Sequence, residues 1–86
     1  MSPIRRNEVM SMVRQEPMAY RAAYDSSSNV EYEGWAAPGT ATSAAEWVIA
    51  KHTYDGSNRI TATQWAGTPV ASFTATWDNR TSETYA

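Results

Sequence analysis

The sequence predicts a small all-β domain, either an antiparallel hairpin sheet or a compact sandwich, preceded by an N-terminal arm. Three observations carry that expectation. Leucine is absent while Thr, Ser and Ala are abundant, a balance that favours strands over helices. Two clusters of turn-forming residues, Asp25-Ser26-Ser27-Ser28-Asn29 and Asp55-Gly56-Ser57-Asn58, each separate two strand-like runs. The two hairpins so defined are also related to each other by a fixed offset of 30 residues.

The core is thin. Of the 86 residues 42% are apolar, but 14 of these are Ala, and only 22 bulky apolar side chains remain. A chain this short buries roughly 60–65% of its unfolded surface even when well supplied. There is no cysteine to form a disulfide, and the lone His52 cannot build an ordinary zinc site. Such a fold is expected to draw stability from a partner or from copies of itself. The net charge of −2 gives no electrostatic footprint for nucleic acid. No apolar run approaches the roughly 20 residues of a membrane span, and the first residues lack the apolar core of a signal peptide. A soluble β-rich module is the expectation.

Residues 1–17 read as the arm and residues 18–86 as the β domain. In the arm, Ser2 can cap a short helix, Pro3 suits its first position, and Val9, Met12 and Val13 share one face. Pro17 would end it. A helix of that length is marginal alone, so the segment is either a frayed end or an arm, helical or extended, that orders on a partner. In the second case Ile4, Val9, Met10, Met12 and Val13 are its binding side chains. The arm carries a charge of +1 and the rest of the chain −3, a mild complementarity.

Strands are expected over 18–24, 30–36, 46–54, 59–66 and 70–77, with breaks at Ala37-Pro38-Gly39-Thr40 and Gly67-Thr68-Pro69. Gly56, able to take positive φ, marks the second hairpin turn. The 30-residue offset aligns Tyr24 with Tyr54, Asp25 with Asp55, Trp35 with Trp65 and Trp47 with Trp77, and 8 of the 24 positions from 24 to 47 are identical. Two units are too few for a solenoid, so the repeat implies stacked hairpins in one sheet or small sandwich.

Alternation places Val30, Tyr32, Gly34 and Ala36 on one face of their strand and Glu31, Glu33 and Trp35 on the other. In the repeat, Ile60, Ala62, Gln64 and Ala66 oppose Arg59, Thr61, Thr63 and Trp65. Trp35 and Trp65 thus fall on the more polar face in both copies. Either a bulge or a strand end lets them cap the core, or they form a surface aromatic pair that stacks on a sugar or a protein.

Catalysis is not expected. His52 is the one ordinary base, and it shares its strand face with Val48, Ala50 and Tyr54, as a half-buried sheet histidine does. Glu31 and Glu33 sit as a glycosidase pair could, but exposed sheet charges that deter edge aggregation have the same pattern. Asp55-Gly56-Ser57-Asn58 is too poor in ligands for a calcium loop. No metal or cofactor is called for.

Three stretches add a further indication. They are Ala36-Ala37-Pro38-Gly39-Thr40-Ala41-Thr42-Ser43-Ala44-Ala45-Glu46-Trp47; Tyr54-Asp55-Gly56-Ser57-Asn58-Arg59-Ile60-Thr61 running on to Gln64-Trp65-Ala66; and Trp77-Asp78-Asn79-Arg80-Thr81-Ser82-Glu83-Thr84-Tyr85. Together they resemble short proteins encoded among the virion-structure genes of tailed bacteriophages. The resemblance spans residues 20–86 and omits the segment before Pro17. It implies a non-enzymatic capsid, neck or tail component located in the virion: a decoration (cement) protein, or an adaptor joining a fibre or tail part. Its implied partners are other virion proteins and copies of itself. A carbohydrate-binding module for host attachment, with Trp35 or Trp65 as the stacking platform, is the alternative.

Overall fold

The computed structural model of the chain describes residues 18–67 and 71–86. They form one four-stranded antiparallel sheet in the order β1-β2-β3-β4, with β1 Ala19–Tyr24, β2 Val30–Ala36, β3 Val48–Tyr54 and β4 Ile60–Trp65. The sheet is open, with β1 and β4 as its outer strands.

The repeat is structural. In the first hairpin Tyr24 pairs with Val30 after a register shift beside Ala23; in the second Tyr54 pairs with Ile60 after a shift beside Thr53. Both turns close identically. Ser28 N–H donates to the Asp25 carbonyl and Asn58 N–H to the Asp55 carbonyl, each at 3.1 Å. Each Asp also accepts two further backbone N–H groups on its Oδ1: those of Ser27 and Asn29 on Asp25, and those of Ser57 and Arg59 on Asp55. This is a type I turn followed by one left-handed residue. That residue is Ser28 (φ 63°) in one copy and Asn58 (φ 61°) in the other. Gly56 does not hold positive φ, contrary to the sequence expectation; it sits two residues earlier, on the turn itself, where any residue fits.

A second correction concerns the fifth strand expected over 70–77. Its described part is irregular: Ala71 is left-handed (φ 61°), Thr74 N–H turns back to the Ser72 carbonyl, and a 3₁₀ turn forms at Trp77–Asn79. Only Ala75 makes a bridge, to Trp47. These turns let the C-terminal segment fold across the sheet rather than extend it.

From Ala75 onward that segment covers one face, while Ala71 and Phe73 pack on the other. Tyr32, Ala36, Ile49 and Ala66 from the sheet pack with Trp47, Ala75 and Trp77, and Ala19, Ala23 and Tyr85 border them. Gly34 is required here: a Cβ on it would lie 2.6 Å from Cε3 of Trp77. The other face carries Trp35, Val48, Ala50 and Ala71, bordered by Met18, Trp65 and Phe73. The alternation expected for β2 and β4 therefore holds at Tyr32, Trp35, Ala36, Trp65 and Ala66. The described strands form a single sheet that does not close into a barrel.

Candidate interaction surface

The face that bears Trp35 is organised by a hydrogen-bonded row that crosses all four strands. Tyr20 on β1 donates its hydroxyl to Glu33 Oε2 on β2 at 2.8 Å. Glu33 Oε1 lies 2.6 Å from Nε2 of His52 on β3, and His52 Nδ1 lies 2.9 Å from Thr63 Oγ1 on β4. An ionised carboxylate can only accept, so Nε2 carries the proton toward Glu33 and Nδ1 meets the Thr63 hydroxyl. The cause is register. Glu33 pairs with Ala50 and Ala22, so the diagonal neighbours His52 and Tyr20 lean onto it from either side.

Glu33 is thus not a free surface charge. Its side chain is 27% exposed and that of His52 10%. Loss of water around Tyr20, together with its bond to the Glu33 carboxylate, pushes the phenol up to about 12.

Trp35 and Trp65 are brought together. They share one cluster with Ala50, the β3 residue that pairs with Trp65, and their ring centroids are 6.1 Å apart with planes tilted by 30°. Tyr20 continues the row, 5.7 Å from Trp35. Trp35 itself is only 5% exposed, Trp65 is half-buried and Tyr20 is 50% exposed. Of the two tryptophans expected to bind a partner, one is therefore a core residue and the other borders the core. Ile4, Val9, Met10, Met12 and Val13 lie outside the described residues.

Thr63, His52 and Glu33 have the order hydroxyl, imidazole, carboxylate of an activated nucleophile. Thr63, however, stands on the outer strand at an exposed position, and the polar pocket of about 330 Å³ lined by Gly67, Thr74, Glu83 and Thr84 does not contain it. Among the described residues no group of three or more His, Cys, Asp or Glu could hold a metal ion.

The outer strands are the least expected feature. Among the described residues, the large exposed apolar side chains are Tyr20 and Tyr24 on β1 and Ile60 on β4. Neither outer strand contains Pro, Lys, Asp or Glu, and Arg21 is their one charge; Glu31, Glu33 and Lys51 are on the inner strands. Protected edges show the reverse arrangement. The sequence held this signal in Ile60-Thr61-Ala62-Thr63-Gln64-Trp65, which has no charge, but it becomes legible only once the strand order is known.

The chain matches no protein-family model, no curated protein and no solved structure.

Proposed function

We propose that this chain is a non-enzymatic structural component of a tailed-phage virion, a decoration protein or a fibre or tail adaptor, that acts through protein–protein contacts in a symmetric assembly. The observation that carries this reading is the pair of outer strand edges that hold Tyr20, Tyr24 and Ile60, have Arg21 as their one charge, and are paired among the described residues only where Ala86 meets the end of β4 at Trp65. An edge of that kind is a template for another chain. The mechanism is passive: each contact is weak, and many copies in one assembly multiply it. The apolar residues of the arm, Ile4, Val9, Met10, Met12 and Val13, supply a second contact to a neighbouring subunit.

The test is co-sedimentation of the tagged 86-residue chain with purified particles, followed by cross-linking and mass spectrometry. Many copies per particle, linked to capsid, neck or tail subunits, support the proposal. Protein confined to the soluble fraction of infected cells overturns it. A version lacking residues 2–16, checked for folding by circular dichroism, locates the contact: loss of incorporation assigns it to the arm.

The half-exposed Tyr20 ring beside Trp35 favours a second reading, a carbohydrate-binding module. Tryptophan fluorescence that responds to added glycans would support it over the first.

A further inference from the structure

The sheet contains its own template for growth. By the 30-residue repeat, β1 corresponds to β3 and β2 to β4, so the seam between β2 and β3 joins the trailing edge of one repeat to the leading edge of the next. The outer side of β4 is the same kind of trailing edge, and the outer side of β1 the same kind of leading edge. Both lack a neighbouring strand among the described residues.

We propose that copies of this chain join head to tail, β4 of one copy adding β1 of the next in antiparallel fashion and in the register that β2 and β3 already use. That seam pairs Tyr32 with Lys51, Glu33 with Ala50 and Gly34 with Ile49. Shifted by the repeat, it sets Ala62 opposite Arg21, Thr63 opposite Tyr20 and Gln64 opposite Ala19 of the next copy. The fourth pair, Trp35 with Val48, would become Trp65 with Met18. Here the Ala86 backbone already exchanges two hydrogen bonds with Trp65, so the added strand begins at Gln64.

The side chains carry the same template. Across the inner seam the Tyr54 hydroxyl donates to the Val30 carbonyl at 2.6 Å. The equivalents are Tyr24 and Ile60, 63% and 56% exposed, which places an exposed phenol on one edge and its acceptor carbonyl on the other. The turns also touch across the inner seam, Asn29 Nδ2 donating to Asn58 Oδ1 at 3.0 Å. Their equivalents are Arg59 and Ser28, again a donor and an acceptor. Most side chains along the seam differ from the template, and the largest addition on β1 is Tyr20, which stands where the inner seam has Ala50. Its ring would extend the Trp35–Trp65 row into the next copy, and the joint would cover it together with Tyr24, the two exposed aromatic side chains of β1. A head-to-tail joint of this kind closes into a ring or runs on as a filament.

The inference deepens the assembly reading and takes only its setting from it. The test uses the 86-residue chain, which has no cysteine of its own. Ala66 donates to Ile49 across the β3 side of β4, so by alternation Ala62 and its opposite number form a non-hydrogen-bonded pair, whose Cα atoms approach to about 4.5 Å, within disulfide reach. Ala62→Cys and Arg21→Cys proteins, both changed at exposed positions, are mixed under oxidising conditions. The expected result is a mixed disulfide dimer, at least tenfold more abundant than in mixtures of Ala62→Cys with Tyr20→Cys or Ala22→Cys. Thr63→Pro, whose lost N–H points away from β3, should leave the circular dichroism spectrum intact and reduce association in sedimentation. Equal cross-linking at all three β1 positions, or disulfide homodimers of the Ala62→Cys protein as the main product, would overturn the inference. Cross-linking in solution with no protein in particles sinks the virion reading alone; protein in particles with no disulfide between positions 62 and 21 sinks the head-to-tail joint alone.

Discussion

Trp35 and Trp65 occupy the same position in two hairpins and lie against each other, ring centroids 6.1 Å apart, across the strand that separates them. Trp47 and Trp77, the other repeated pair, also adjoin, at 6.0 Å. The repeat therefore does more than double a hairpin. It delivers each tryptophan to its own counterpart, one pair on each face of the sheet, and these four indoles supply much of what a core poor in large aliphatic side chains lacks.

Trp35→Ala should cost about 3–5 kcal/mol, because a buried indole leaves a cavity that the sheet cannot close. Trp65→Ala should cost less, its indole being half-buried. The two changes share one contact, so in a double-mutant cycle they should couple by about 0.5–1.5 kcal/mol. Urea unfolding of the four proteins measures it, and additive losses would mean the rings merely adjoin.

Gly34→Ala should be strongly unfavourable for a single methyl group. Its Cβ would meet Cε3 and Cζ3 of Trp77 at 2.6 and 2.9 Å, and that indole is itself buried against Trp47. Overpacking of this kind costs about 1–3 kcal/mol. Gly56→Ala is the control, since a Cβ there has nothing within 4 Å. Chemical denaturation should separate the two variants clearly.

The turns give a sharper contrast. Asn58 holds the left-handed conformation, so Asn58→Val should cost about 1–3 kcal/mol, whereas Ser28→Gly should raise stability by relieving the same conformation in the first repeat. Gly56→Val, at an ordinary φ, should be the mildest of the three. Thermal melts rank them, and a larger loss at Gly56 than at Asn58 would contradict the turn geometry.

Much of the sheet was legible in the sequence for local reasons. The hairpins are fixed by the short turn clusters at residues 25–29 and 55–58, and alternation around Tyr32, Trp35 and Ala66 follows from strand geometry alone. The assembly of the polar row was not legible. Glu33, His52 and Thr63 could each be placed on a face, but their meeting depends on the register of β2 against β3, and those strands are joined by the long connection 37–47. The last segment misled for another reason. Residues 71–77 have strand composition, yet Ala71 takes φ 61° and Trp77 is drawn over Gly34, so packing overrides local preference.

The pH dependence of stability should be a dome with both limbs traceable to named groups. Desolvation, with the Glu33 bond, holds the Tyr20 phenol up to about 12, against 10.0 when free, and burial likewise raises Tyr85, whose hydroxyl donates to the Arg80 carbonyl at 2.7 Å. A raised phenol keeps its proton in the folded chain after the unfolded chain has lost it. Its contribution is complete below pH 10 and declines as pH rises from 10 toward 12. Asp55 has the opposite sign. Backbone hydrogen bonds, first from Arg59 and then from Ser57, lower its carboxyl below 3.8, so its contribution is complete above the ordinary carboxylate range and is lost as pH falls through it. Tyr20→Phe should therefore flatten the alkaline limb, and Asp55→Asn the acid one. Tyr20 is half-exposed, so solvent screens its share and Tyr85→Phe should flatten the alkaline limb more. Urea midpoints between about pH 3 and pH 12 for the parent and the three variants decide it; an alkaline limb unchanged in both phenylalanine variants would remove these phenols as its cause.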